Sequence, residues 1–455
     1  MNAVGSLAGR ESYEWRPQPA ASAIVRELYN VFLAYNSGAR ILRDRMSAEA
    51  GTRLIDWVDH VVVPHAMVSA PRWRAAGFRP AEVDGLLCFT HDEGIFPVLI
   101  AGEDERMSLA VAVESVSDFA AVHGLQGIEG RPFESFRRVL VCHEHETEFF
   151  ALERHAYRGF SLNAGSAADV RALVRHGEAL RLRRRAFEDD VDGFEELRRV
   201  IAAAIADVGR DRACDLFFAA EREYWQRRNG AGRVQHARQA ALGLGWGNDD
   251  HHTYRSSRQW FGQLIQILES LGLTCRERFY AGAESGWGAQ VLEHPATGIV
   301  VFADVDLSPD EVSGDFSHGG LSHRNELGTV GMWCALHGES VLGAGMHHLE
   351  CTFDHSLLRD QLGKLGVGMM APFTSLPYLR QSFTTGELWP VSPQRIARLA
   401  REGKISPEQA RQFAQVGAIG SHLENLERND GYKGFNQKGV SSIIEQTDPR
   451  RVLPS

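Results

Sequence analysis

The chain has 455 residues, of which 44% are hydrophobic and 24% are charged, and its formal net charge at pH 7 is −10. This composition is typical of a soluble globular protein with two or three domains. The negative charge argues against the basic face that a nucleic-acid partner requires. The sequence contains no apolar run of about 18 residues that would span a membrane, and its six scattered cysteines favour free thiols in the cytoplasm.

The N-terminal half combines helical and strand patterns. Residues 1–20 are predicted to be a flexible leader, and the apolar spacing of residues 21–69 predicts helices. Short β-branched and aromatic runs within residues 84–160 predict strands, and residues 166–229 return to a helical composition. We therefore predict an N-terminal α+β domain over residues 21–240, in which no motif indicates a chemistry.

A glycine-rich stretch at residues 242–248 leads into a C-terminal domain that we predict over residues 241–455. Residues 250–306 show the order strand, helix and three strands, and a second strand and helix follow at residues 345–365. A helical insert is predicted at residues 393–416, because this stretch contains a Ser-Pro-Glu helix start.

Two histidine pairs stand at the beginning of these C-terminal units. His251-His252 and His347-His348 each lie in a predicted strand that leads into an amphipathic helix. Neighbouring residues of a strand point to opposite faces, so only one histidine of each pair can face a given site. Two such histidines and a later carboxylate would form the ligand set typical of non-heme Fe(II) oxygenases. Arg255 shares the strand face of His251 and can present its guanidinium to a carboxylate beside the metal.

Other residues compete for the remaining ligand positions. Glu424 and Glu427 lie on a late predicted strand, and Glu350 follows a histidine of the second pair on the same strand face. In the N-terminal half, His143 and His145 would share one face of a strand, which suits either an alternative metal site or a plain polar face. The local patterns leave these choices open.

Two further segments carry residues that would lie near such a site. Residues 280–288 are rich in glycine and aromatic side chains, and they predict either a β-turn or a loop that brings Glu284 or Trp287 to the substrate. His337 and Glu339 are candidates for orienting the ligand histidines.

The segment from Asp250 to Arg450 resembles the iron-dependent 2-oxoadipate dioxygenase/decarboxylases, also called hydroxyglutarate synthases, which are related to the vicinal oxygen chelate fold. The resemblance rests on four short motifs in chain order. They are His251 with Arg255 four residues later, then His348-Leu349, then Leu379-Arg380-Gln381-Ser382-Phe383, and finally Gly420-Ser421-His422 with Glu427 and Lys438-Gly439.

The resemblance implies a fold and a metal. The expected fold is α+β, with vicinal-oxygen-chelate-like βαβββ modules that form a curved, metal-holding sheet. A mixed N-terminal domain of helices and strands precedes these modules in the chain. The expected metal is Fe(II), held by His251, His348 and Glu427, with Glu424 as the alternative glutamate.

The resemblance also implies an activity. The chain is expected to be an iron-dependent oxygenase that uses O2 on a small 2-oxo or hydroxy acid, oxidative decarboxylation included. Arg255, Arg380 and Gln381 are the predicted contacts of this carboxylic acid substrate. Two alternatives remain: an isomerase, lyase or hydrolase of the same fold with Zn, Mn or Ni, and a non-catalytic binding protein. The sequence leaves the oligomeric state open, a homo-oligomer included.

Overall fold

The computed structural model describes residues 14–162, 169–282, 285–436 and 447–450. These residues form two curved β-sheets, one in each half of the chain, and helices on one face of each sheet form its main hydrophobic core. The predicted α+β class is confirmed. Residues 1–13 of the predicted leader, Glu284 and the Lys438-Gly439 pair lie outside the described residues.

Seven strands form the N-terminal sheet. They are β1 (Val58–Val63), β2 (Arg79–Val83), β3 (Leu86–Thr90), β4 (Val98–Ala101), β5 (Met107–Ala112), β6 (Phe136–Glu144) and β7 (Thr147–Arg154). Their order across the sheet is β2-β3-β4-β1-β5-β7-β6. Strand β1 lies inside the stretch 21–69 that was predicted to be helical. Its short β-branched run shows no alternation of apolar and polar residues. The apolar spacing of the flanking residues therefore led to a helical prediction for the whole stretch.

Nine strands form the C-terminal sheet. They are β8 (Asp249–Arg255), β9 (Thr274–Tyr280), β10 (Trp287–Glu293), β11 (Val300–Asp306), β12 (His348–Thr352), β13 (Thr374–Leu376), β14 (Leu379–Phe383), β15 (Glu387–Trp389) and β16 (Ala418–Arg428). Their order is β13-β14-β16-β12-β8-β11-β10-β9, and β15 also pairs with β16. The histidine strands β8 and β12 are antiparallel neighbours at the centre of this sheet.

Thirteen α-helices occur among the described residues. They are α1 (Pro19–Tyr35), α2 (Ser37–Arg45), α3 (Ala70–Ala75), α4 (Val116–His123), α5 (Val170–Arg181), α6 (Asp190–Val208), α7 (Arg210–Arg227), α8 (Gly230–Ala240), α9 (Phe261–Ser270), α10 (Thr329–His337), α11 (His355–Lys364), α12 (Pro393–Arg401) and α13 (Pro407–Gln415). Helices α12 and α13 occupy the stretch predicted as an insert. As the sequence predicts, α13 begins at Ser406, whose hydroxyl accepts the backbone N–H of Gln409 in a capping box.

The two sheets have separate hydrophobic cores. Helices α1, α2 and α4 pack on the N-terminal sheet, whereas α6 and α7 pack with α9 on the C-terminal sheet, for example through Phe217, Phe218 and Leu264. Two helices of the predicted N-terminal domain, α6 and α7, therefore contribute to the C-terminal core. The glycine-rich stretch at 242–248 crosses between the cores, with Leu242 buried in the N-terminal one.

Each sheet is built from two similar modules. In the C-terminal sheet, β8-α9-β9-β10-β11 has the predicted βαβββ order, and its first strand lies parallel to its last. The second module runs from β12 through α11 to β16, and β12 again lies parallel to β16. The N-terminal sheet has the same plan, with β1 parallel to β4, β5 parallel to β7, and β1 antiparallel to β5. The sequence did not lead us to expect these N-terminal modules.

All six cysteines are free thiols, as predicted. Four of them are buried: Cys88, Cys214, Cys334 and Cys351. None of the described helices is both long and apolar enough to cross a membrane.

Candidate metal centre

The inner face of the C-terminal sheet carries polar side chains, because strand residues alternate between the two faces. On β8, His251, Thr253 and Arg255 line a cavity of about 70 Å³. The residues between them face the helices: His252 packs against the ring of Phe218 and accepts a hydrogen bond from Nη1 of Arg222, at 3.2 Å. The first histidine pair thus places His251, and not His252, in the cavity.

Four side chains from three central strands converge in this cavity. They are His251 on β8, His348 and Glu350 on β12, and Glu424 on β16, and we call them the ligand cluster. One ligand-type atom from each lies within 4.8 Å of those of the other three. Nε2 of His251 lies 2.7 Å from Oε2 of Glu350, and Nε2 of His348 lies 3.1 Å from Oε2 of Glu424.

The ligand cluster fits a divalent cation. All four residues are buried, and the two carboxylates lie together with the two imidazoles, Glu350 beside His251 and Glu424 beside His348. Two carboxylates this close together inside a protein are unfavourable unless positive charge compensates them. The imidazole and carboxylate donors also suit transition metals. The residues of the ligand cluster can therefore hold a metal ion.

The electrostatics of the ligand cluster reflect this crowding. Burial raises the pKa of Glu350, and the nearby carboxylate of Glu424 adds to the effect. Burial alone would lower the pKa of His251, but the carboxylates of Glu350 and Asp250 outweigh it and raise this pKa to about 10. Burial lowers the pKa of His348 well below its usual value. The neutral imidazole of His348 can thus offer a lone pair without losing a proton.

Arg255 is the cation at the wall of the cavity. It is 3% exposed, its Nε and Nη1 have no hydrogen-bond partner, and the nearest acid is Asp304, with Oδ2 at 3.9 Å from Nε. Burial raises the pKa of Asp304 to about 7. A buried guanidinium with unused donors is suited to binding an anion from outside the chain.

Aromatic rings form most of the remaining wall. Rings from both ends of the C-terminal sheet and from the segment after β16 line the cavity: Phe279, Trp287, Phe302, Phe373, Phe383 and Phe435. Trp287 belongs to strand β10 and lines the cavity from there, whereas the other candidate of its segment, Glu284, lies outside the described residues. The polar groups therefore face a largely apolar space, as in many small-molecule sites.

The two histidines of the second pair differ less in their positions than those of the first pair. Both His347 and His348 line the cavity, but only His348 belongs to the ligand cluster. The hydroxyl of Thr253 lies 2.7 Å from Nε2 of His348, and His347 packs edge-on against Trp333. His348 therefore fits the predicted ligand position better than His347.

Glu427 lies outside the ligand cluster. This residue follows Glu424 by three positions on β16, so its side chain points to the other face of the strand. Its Oε2 accepts the backbone N–H of His355, the first residue of α11, at 3.0 Å, and its Oε1 lies 3.4 Å from Nη1 of Arg53. Glu427 thus caps a helix, and Glu424 is the glutamate of β16 in the ligand cluster.

Strand alternation also separates the two predicted substrate contacts on β14. Gln381 lines the cavity and donates from Nε2 to Oε1 of Glu424 at 3.0 Å. Arg380 is exposed on the opposite face and is not part of the cavity lining. Gln381 is therefore placed to orient Glu424.

Sequence reasoning missed the residues that support His251. Nδ1 of His251 donates to Oδ1 of Asp250 at 3.1 Å, and Arg428 holds both oxygens of Asp250, with Nε at 2.8 Å and Nη2 at 2.9 Å. The predicted orienting residues lie elsewhere: His337 bonds the carbonyl of Ile419, and Glu339 accepts from the hydroxyl of Ser256.

Two other clusters are weaker candidates. His143 and His145 belong to neither of the two groups of ligand-type residues found in the described part of the chain, and the side chain of His145 is 69% exposed. The second group, Glu269, Cys275 and His318, lies at the surface, where the ring of His318 already bonds Glu269 and Asp315.

No family model matches the chain, and no curated protein matches it. Solved structures with some similarity include a putative hydrolase from Shewanella frigidimarina, which is 17% identical with a TM-score of 0.34 over 49% of this chain and 97% of that chain. Hydroxyglutarate synthase from Oryza sativa, in complex with 2-oxoadipate, is 14% identical with a TM-score of 0.34 over 52% and 94%. A mutant of 4-hydroxymandelate synthase from Streptomyces coelicolor is 12% identical with a TM-score of 0.30 over 87% and 98%. TM-scores below 0.5 establish no shared family, so the residues of the cavity carry the functional argument.

Proposed function

We propose that this chain is a metal-dependent oxygenase that uses Fe(II) and O2 on a small 2-oxo or hydroxy acid. The observation that supports the proposal is the buried ligand cluster, which opens onto an aromatic cavity beside the guanidinium of Arg255, whose Nε and Nη1 have no hydrogen-bond partner. A metal and a carboxylate-binding cation in one small cavity suit a substrate that carries a carboxylate next to an oxygen that can bind the metal.

His251, His348 and Glu424 would provide the two-histidine, one-carboxylate ligand set, and Glu350 stands beside them as a fourth donor. When bound, Fe(II) supplies the redox chemistry that allows O2 to react with an organic acid. Gln381 fixes Glu424 through its amide N–H. The sheet thus holds each donor on a hydrogen-bonded strand and not on a loop, which favours a rigid site.

Arg255 would bind the substrate carboxylate. Its Nε and Nη1 have no hydrogen-bond partner, and a guanidinium can hold a carboxylate through two parallel hydrogen bonds, an arrangement that is stronger and more directional than a single contact. Asp304, whose pKa burial raises to about 7, compensates the guanidinium only in part. A bound carboxylate would complete the compensation and place the adjacent carbon atoms over the ligand cluster.

The aromatic wall would exclude water from the reacting atoms. For oxidative decarboxylation of a 2-oxo acid, one O2 is consumed and one CO2 is released. One oxygen atom then stands in the carboxylate that replaces the 2-oxo group, and the other in a hydroxyl group of the same molecule. A cavity of about 70 Å³ with an aromatic wall suits a small acid and limits the access of water to the reacting atoms.

A second candidate is a metal-dependent isomerase or lyase, and the second carboxylate of the ligand cluster favours it. A facial ligand set requires only one carboxylate, so Glu350 or Glu424 would remain to take a proton from carbon. Proton transfer between carbon and a buried carboxylate requires neither O2 nor a redox-active metal.

One experiment separates the two candidates. The chain is purified without oxygen, loaded with Fe(II) and mixed with a panel of 2-oxo and hydroxy acids, while O2 uptake and CO2 release are followed. The same panel is then incubated in D2O without O2, and deuterium incorporation at carbon is measured. Equal O2 uptake and CO2 release with one acid supports the oxygenase. Deuterium exchange without O2 uptake contradicts it and supports the isomerase, and metal binding with neither reaction indicates a binding protein.

A further inference from the structure

One sequence pattern occurs at the end of both sheets. Strand β7 ends in Leu152-Glu153-Arg154 and is followed by Tyr157-Arg158-Gly159-Phe160, whereas β16 ends in Leu426-Glu427-Arg428 and is followed by Tyr432-Lys433-Gly434-Phe435. In both copies the glutamate caps a helix, because the backbone N–H of Val116 at the start of α4 donates to Glu153 as that of His355 donates to Glu427.

The arginine of each copy makes the same contacts. Nε and Nη2 of Arg428 donate to the two oxygens of Asp250, and its Nη1 donates to the carbonyls of Tyr432 and Gly434. In the N-terminal sheet, Nε and Nη2 of Arg154 donate to Asp59 at 2.7 and 2.8 Å, and its Nη1 donates to the carbonyls of Tyr157 and Gly159.

The aspartate of each copy holds a histidine. Nδ1 of His60 bonds Oδ1 of Asp59 at 2.6 Å, as Nδ1 of His251 bonds Asp250. The phenylalanine of the repeated pattern packs on each ring, with centroids 4.9 Å apart for Phe160 and His60 and 5.1 Å apart for Phe435 and His251.

The backbone repeats the same irregularity at these aspartates. The pairing of β1 with β5 shifts between Val58 and His60, and the pairing of β12 with β8 shifts at the step from His251 to Asp249. The skipped residue is the aspartate in both strands. Such bulges turn a side chain away from its regular direction. Here the carboxylate of each aspartate reaches the imidazole ring of the histidine that follows it in the sequence.

The other members of the ligand cluster are not repeated. The strand registers place Ser108, Ala110 and Phe150 of the N-terminal sheet where His348, Glu350 and Glu424 stand in the C-terminal sheet. The N-terminal copy therefore keeps the arginine, the aspartate and the histidine, but it has an alcohol, a methyl group and a phenyl ring in place of three donors.

We propose that the two halves are copies of one two-module unit, and that Asp250 and Arg428 are positioning residues for the metal ligand His251. Arg428 fixes Asp250, and Asp250 holds Nδ1 of His251 so that Nε2 faces the ligand cluster. Asp59 and Arg154 keep this arrangement in the N-terminal half, which lacks the other three donors. The arrangement is therefore part of the fold that the two halves share, and the C-terminal half adds the remaining metal ligands to it. This inference rests on the proposed metal site.

The duplication supplies a matched control. Asp250→Asn and Asp59→Asn remove the same charge from the same contact in the two halves. Metal-free protein is titrated with Co(II) and with Fe(II) under argon, the dissociation constant and the visible spectrum of the Co(II) form are recorded, and thermal unfolding of the metal-free form is measured. We expect both variants to lower the melting temperature, and only Asp250→Asn to weaken metal binding, by about 10–100-fold, and to change the Co(II) spectrum.

An Asp250→Asn variant that binds metal with wild-type affinity and an unchanged spectrum would overturn the positioning role while leaving the metal site intact. Equal weakening by Asp59→Asn would also overturn it. A wild-type chain that binds no metal would refute the proposed function itself. If Asp250→Asn does not fold, Arg428→Lys and Arg154→Lys replace the pair, because lysine cannot make the two-point contact with an aspartate, and the same comparison applies.

Discussion

Replacing two glutamates of one strand by glutamine tests the assignment of the metal ligands. Glu424 and Glu427 both lie on β16, but only Glu424 belongs to the ligand cluster, whereas Glu427 caps α11. Glu424→Gln removes a charged donor and leaves the size of the side chain unchanged. We expect it to weaken metal binding at least 100-fold, more than the loss of a supporting residue outside the ligand set.

The effect on stability follows from mass action. Metal at 100 times its dissociation constant stabilises the wild-type chain by about 2.7 kcal/mol, and a 100-fold weaker variant gains only about 0.4 kcal/mol at the same concentration. A domain of this size changes its melting temperature by about 2–4 °C for each kcal/mol. The metal should therefore raise the melting temperature by roughly 5–11 °C in the wild type and by about 1–2 °C in Glu424→Gln.

Glu427→Gln is the matched control. It weakens the contact with the N–H of His355 and the ion pair with Arg53, so we expect a loss of about 1–2 kcal/mol in the free energy of unfolding. Its metal affinity should stay at the wild-type value. Thermal melts with and without metal, together with elemental analysis, measure both quantities. Wild-type metal affinity in Glu424→Gln, or its loss in Glu427→Gln, would refute the assignment.

Three further predictions concern the cavity and the packing. Arg255→Lys should raise KM for the acid substrate about tenfold or more, because lysine cannot make a two-point contact with a carboxylate. A tenfold change corresponds to a loss of ~1.4 kcal/mol in binding free energy. Arg380→Lys, on the exposed face, should leave the steady-state kinetics unchanged. Since burial raises the pKa of Asp304 from 3.8 to about 7, its contribution to the stability of the metal-free chain is present below pH 4 and is lost as the pH rises to 7, by up to about 4 kcal/mol. Urea unfolding against pH should show this decline, and Asp304→Asn should flatten it. Deleting residues 1–242 removes α6 and α7 from the C-terminal core, so the remaining fragment should be insoluble, and a folded fragment that binds metal would contradict this packing.

The sequence predicted the modules of the C-terminal half and one histidine of each pair. His251 could be chosen because Arg255 shares its strand face, and strand alternation then determines which side chains meet. The sequence left the choice between Glu424 and Glu427 open for a physical reason. Their separation puts them on opposite faces, but the local sequence does not show which face of β16 turns inward, since that depends on pairing with a strand about 70 residues away.

The N-terminal modules escaped prediction because β1 is short and lies between helices. The repeated Leu-Glu-Arg and Tyr-Arg/Lys-Gly-Phe segments were visible in the sequence and could have shown the duplication. They could not have shown its meaning, because Asp59 and Asp250 meet their arginines only after the strands pair. A contact between two residues that are distant in the sequence, one of them in a bulge, leaves no periodic pattern in the sequence.

X-ray absorption at the iron edge tests the central claim most directly. The wild-type chain is loaded anaerobically with one equivalent of Fe(II), and the scattering from imidazole rings is counted. The structure predicts two imidazole ligands, His251 and His348, with oxygen atoms in the other positions. A spectrum without imidazole scattering, or one that keeps both rings when His251 and His348 are replaced by alanine, would contradict a metal centre in this cavity.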